Sequence, residues 1–87
     1  MYQHKTFQRM IQAADMAFFE GDTIRICVDI DKVERASETR MINAAFASGA
    51  FDAFEDDGVI HCVFFATSDL FAQLSEHNTI EIVETAA

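Results

Sequence analysis

Eighty-seven residues with a formal net charge of −9 and a hydrophobic fraction of 51% describe one folded domain and exclude a disordered acidic tail, which lacks large apolar side chains. A chain this short buries only about 60–65% of the surface its unfolded form exposes, so its core depends on bulky residues, and nine Phe supply them. The same charge argues against direct binding of DNA or RNA, whose phosphates it repels.

With no Pro and three Gly, long irregular loops are not expected, and elements should follow one another through short connections. The two cysteines, Cys27 and Cys62, each lie in an apolar strand-like run and form no zinc-ribbon spacing. They read as reduced core residues of a cytosolic protein. The start Met1-Tyr-Gln-His-Lys5 lacks a basic segment followed by an apolar run, and no apolar stretch approaches the roughly 20 residues that span a bilayer. A soluble protein is expected, with no membrane partner. Its compartment would be the cytoplasm, or the host cytoplasm for a phage-encoded chain.

Phe7, Met10, Ile11, Ala14, Ala17 and Phe18 recur at the spacing of one helix face, which predicts an amphipathic helix over about Thr6 to Glu20, closed by a left-handed Gly21. Thr23 to Ile30 alternates, with Ile24, Ile26, Val28 and Ile30 facing inward and Arg25, Cys27 and Asp29 outward. Asp31 with Glu34 has the form of a helix start, and Ser37 competes with it as the N-cap. Met41, Ile42, Ala45, Phe46, Ala50, Ala53 and Phe54 then predict helix from Glu38 to Phe54, either bent or divided at Ser48-Gly49.

The polar cluster Glu55-Asp56-Asp57-Gly58 turns the chain into Val59 to Ala66, the one run that is apolar on both alternating faces and the expected central strand. Thr67-Ser68-Asp69 suggests a capped short helix to about His77, and Thr79 to Glu84 an outer strand with Ile80 and Ile82 inward. The order helix, strand, helix, strand, helix, strand implies a single α/β domain over residues 1–87, with helices packed on a small three-stranded sheet. An antiparallel or mixed sheet, of α+β type, stays open. The second sheet face would still carry bulky apolar groups, which the first helix, a second copy or a partner must cover; the first helix is the simplest cover.

No catalytic motif stands out. Asp29-Ile30-Asp31 has the form of paired phosphatase acids, but the chain is too short for such a domain and no phosphate-binding Lys or Ser/Thr motif follows. His4, His61 and His77 make no metal-ligand spacing, and His61 and Cys62, as successive strand residues, point to opposite faces. Neither enzyme activity nor a cofactor or metal is expected.

The charge distribution is more informative. Residues 1–40 hold all six cations, Lys5, Arg9, Arg25, Lys32, Arg35 and Arg40, against seven acids, whereas residues 41–87 hold eight acids and no Lys or Arg. Such a surface suits the basic surface of a nucleic-acid-binding protein or complex, with carboxylates standing in for phosphates and forked Arg contacts giving specificity. Asp52, Glu55, Asp56 and Asp57 form the expected contact cluster, with Glu34 and Glu38 as a second row. The small size and acidity match phage-encoded anti-CRISPR and anti-restriction inhibitors, an analogy of size and charge alone. The alternative is a homodimeric structural or regulatory adaptor that pairs through its sheet face, its acidity serving solubility.

Overall fold

The structure, a computed structural model, describes residues 5–66 and 81–85. Its elements are helix α1 (Lys5–Ala13), strands β1 (Met16–Glu20) and β2 (Thr23–Asp29), a 3-10 turn at Ile30–Lys32, helix α2 (Glu38–Ala47), and strands β3 (Asp52–Asp56), β4 (Val59–Phe65) and β5 (Glu81–Thr85). One sheet runs in the order β3-β4-β2-β1-β5. The first four strands are antiparallel neighbours, and β5 lies parallel to β1.

The class is mixed α/β, as the pattern of elements predicts, but the sheet has five described strands where the sequence suggests three. Strand β1 lies inside the first predicted helix, and β3 takes the end of the second, Asp52 to Phe54, together with Glu55 and Asp56 of the predicted turn. The first predicted helix ends at Ala13, and Met16-Ala-Phe-Phe-Glu20 becomes β1. Ala17 is buried in either arrangement, so helical spacing alone cannot separate the two; pairing with β2 from Met16↔Cys27 to Glu20↔Thr23 decides for strand. Gly21 does adopt the left-handed region, at φ +65. It opens a two-residue hairpin turn with Asp22 instead of capping a helix.

The second predicted helix also divides. Ser37 is its N-cap, accepting a 3.2 Å bond from the Arg40 amide. The helix stops at Ala47, and Gly49 follows at φ +103. Asp31 and Glu34 start no α-helix. Asp31 sits in the 3-10 turn and Glu34 in the loop after it.

Both helices pack on one face of the sheet. Phe7, Met10 and Ile11 of α1 and Met41, Ala44 and Ala45 of α2 share a fully buried cluster with Ala17, Ile24, Ile26, Val28, Ile60, Cys62 and Phe64. The Phe7 and Phe64 rings meet at 5.3 Å. Removing each of these large side chains from water contributes about 1.5–3 kcal/mol, so the layer of helices and this sheet face are the core. The central strand is β2, flanked by β4 and β1, and Val59–Phe65 lies one position off centre.

The opposite face carries Met16, Phe18, Arg25, Cys27, Val59, His61, Val63 and Phe65, brought into rows by the strand register. Helix α1 does not cover it, because its apolar stripe is spent on the core face. The predicted helix over 69–77 and residues Thr79 and Ile80 lie outside the described residues. From Glu81 the predicted outer strand is present, with Ile82 opposite Ala17. No described helix is long and apolar enough to cross a membrane.

Candidate functional site

Of the six acids singled out by charge, four fall on one hairpin. Strand β3 carries Asp52, Glu55 and Asp56, and Asp57 with Gly58 closes the turn into β4, at φ +52 and φ +80. Positive φ at both central residues is the type I′ geometry whose twist matches paired strands, and Asp-Gly is among the few dipeptides that adopt it readily. Two bonds fix the turn. The Gly58 amide donates to Glu55 Oε2 at 3.0 Å, and the Gly58 carbonyl accepts from the Ile30 amide at 3.0 Å.

Register then sorts the side chains. Asp52, Phe54 and Asp56 stand opposite Val63, His61 and Val59 on the face away from the helices, while Ala53 and Glu55 stand opposite Cys62 and Ile60. All four acids are exposed. Among the described residues, none of them belongs to an ion pair. The three ion pairs found join cations and acids of the first 40 residues, Arg25 to Glu20 at 3.3 Å, and Lys32 to both Asp15 and, at 3.6 Å, Asp29. No described ion pair neutralises the hairpin carboxylates, so they direct negative charge toward solvent.

Exposed aromatics alternate with these acids. Phe51, Phe54 and Phe65 are 50%, 39% and 61% exposed. Phe51 lies against Phe65 with ring centres 4.8 Å apart, and Phe54 stacks on His61 at 4.9 Å with the rings 9° from parallel. The surface is thus an acidic ridge with flat apolar ground beside it.

Behind Phe54, His61 Nδ1 lies 3.4 Å from Cys27 Sγ across the β2–β4 pair. Burial pushes the Cys27 thiol up from its ordinary value, against a smaller lowering by Arg25. Burial and then Arg25 pull His61 down, with Asp56 opposing. The pair is therefore a thiol beside a neutral imidazole, the reverse of an activated thiolate–imidazolium couple. Cys62, on the core side of the same strand, is pushed up to about 12 by burial. Both cysteines are free, and only Cys62 belongs to the core as the sequence suggests.

Glu34 and Glu38 lie on other elements. Glu34 shares the wall of a surface cavity with Arg9, Gln12, Lys32 and Arg35, so cations surround it, and Glu38 occupies the first turn of α2. Asp29, one of the paired acids of the strand end, is held by Lys32. Among the described residues, no group of three His, Cys, Asp or Glu side chains could hold a metal ion.

Compared with protein-family models, curated proteins and solved structures, the chain matches none.

Phe51, Phe54, Phe65, His61 and Cys27 are the site's neighbours that the sequence does not announce. The signal that finds them is Asp57-Gly58 between an acidic and an apolar run, which reads as a hairpin turn and aligns Phe54 with His61. The Cys27–His61 contact has no local signal, since it depends on long-range register.

Proposed function

We propose that this chain is a non-enzymatic binding protein that inhibits a nucleic-acid-handling complex, with the β3–β4 hairpin occupying the partner's basic groove in place of phosphates. The observation that carries this reading is the set of four exposed carboxylates, Asp52, Glu55, Asp56 and Asp57, on one hairpin and outside every described ion pair. A pre-ordered turn loses little freedom on binding, so Arg and Lys of a partner meet carboxylates already in place. Size and charge make CRISPR effector and restriction complexes the first partners to test.

The test is displacement of duplex DNA from such complexes by the wild-type chain and by D52N/E55Q/D56N/D57N. These substitutions keep the side-chain acceptor that holds Gly58 and a residue that tolerates left-handed φ at 57. The wild type should displace DNA and the variant should not. Equal displacement by both would contradict the role of the hairpin.

A second reading, a homodimer paired through the sheet face, draws on the exposed Phe54 and Phe65 opposite the helix layer. Sedimentation at two salt concentrations separates them. A dimer built on apolar contact stays dimeric at both, whereas a mimic keeps a constant mass of its own and loses its partner as salt rises.

A further inference from the structure

Strand β3 ends the sheet order, and no described strand pairs with its outer side. In a two-residue hairpin the pair beside the turn exchanges both main-chain bonds, and bonded and non-bonded pairs then alternate. Asp56–Val59 and Phe54–His61 are accordingly the bonded pairs, and the amides and carbonyls of Ala53 and Glu55 point outward. Such an edge is a template for another strand.

The side chains decide which strand it accepts. A second copy aligned antiparallel about Phe54 would set Asp52 opposite the partner's Asp56 and Asp56 opposite the partner's Asp52, and like charges directly opposite are destabilising. A strand with cations at those two positions removes the repulsion and gains two cross-strand ion pairs. Between them, Phe54 offers a half-exposed ring backed by His61, which suits an aromatic or β-branched neighbour.

We infer that the outer edge of β3 takes up an extended basic segment of the partner by strand addition, in the pattern cation–any–apolar–any–cation. The pattern reads the same in both directions, so parallel and antiparallel additions satisfy it alike. The inference rests on the reading that the hairpin is the contact surface, and adds to it a main-chain docking mode and a sequence preference. The acids that keep copies of this edge apart are the ones that select a basic strand.

Three labelled peptides of one composition test it by fluorescence anisotropy against the whole chain. The first has Lys at positions one and five of the core and Phe at three. The second is the same peptide N-methylated at positions two to five, which removes the amides facing β3 in either strand direction, and the third is permuted so that its cations fall on opposite faces. The first should bind, and binding should protect the Ala53 and Glu55 amides from hydrogen exchange. The methylated and permuted peptides should each bind about tenfold more weakly or worse. Equal binding of all three, without amide protection, overturns strand addition and leaves an acidic surface recognised by charge. Failure of every peptide while D52N/E55Q/D56N/D57N still abolishes DNA displacement likewise overturns the edge mode alone. Failure of the peptides with displacement unaffected by the variant overturns both readings.

Discussion

At the level of single residues, the sheet separates two chemistries by one step of alternation. Phe64 points into the core against Phe7, and Phe64→Ala should lower the free energy of unfolding in urea by about 3–5 kcal/mol, through lost burial and a cavity that rigid neighbours cannot fill. Its neighbour Phe65 lies on the exposed face, and the same truncation there should cost far less. The cysteines divide in the same way. Cys62 is fully buried with its thiol pushed up to about 12, so a thiol reagent should label Cys27 first in the native protein and Cys62 only as fast as the core opens. Equal labelling rates by mass mapping would contradict this placement.

His61 adds a pH dependence whose sign follows from its surroundings. Burial and Arg25 disfavour the imidazolium in the folded state, so as pH falls below the ordinary histidine value of about 6.5 the unfolded chain takes up this proton first. Stability present above that value is then lost as pH drops through the lowered folded value. His61→Phe, which keeps a ring against Phe54, should flatten the slope of unfolding free energy between about pH 7 and pH 5. A slope identical to wild type would remove His61 from the account.

At the level of elements, a helix cap and a hairpin turn set where α2 and β4 begin. Ser37→Ala removes the acceptor for the Arg40 amide and should cost about 1 kcal/mol. Gly58→Ala places a Cβ in open space, with nothing within 4 Å of it. Its cost, about 1–2 kcal/mol, therefore comes from left-handed backbone strain and not from a clash. Asp57→Val should be worse than Asp57→Asn, because a β-branched side chain resists positive φ. Thermal denaturation of the three turn variants gives the order.

The elements also show what the residues could and could not announce. The inward set Ile24, Ile26 and Val28, the Ser37 cap and the two-faced apolar run from Val59 are all local patterns, and the structure keeps them. The two missed strands share a physical cause. Ala14, Ala17, Ala50 and Ala53 satisfy helical spacing without demanding it, and β3 is made mostly of exposed acids, poor strand formers that only pairing with β4 holds extended. The acidic cluster was legible because charge is counted, not folded. Its shape was not, because Asp52 and Asp56 reach the same face only once Asp57-Gly58 sets a hairpin register.

At the level of the whole molecule, the ion pairs among the described residues join Arg25 and Lys32 to Glu20, Asp15 and Asp29 of the first half, while the hairpin acids belong to none. Neutralising four of them changes the net charge from −9 by four units without touching the buried cluster, so the fold should survive and partner affinity should not. Association steered by such a field weakens as salt screens it. The most direct measurement is the salt dependence of affinity for one basic partner, taken for the wild type and for D52N/E55Q/D56N/D57N. The wild type should bind at least about tenfold more tightly at low salt and fall steeply as salt rises, while the variant binds weakly with a shallow slope. Matching affinities and matching slopes would contradict the assignment of the hairpin as the binding surface.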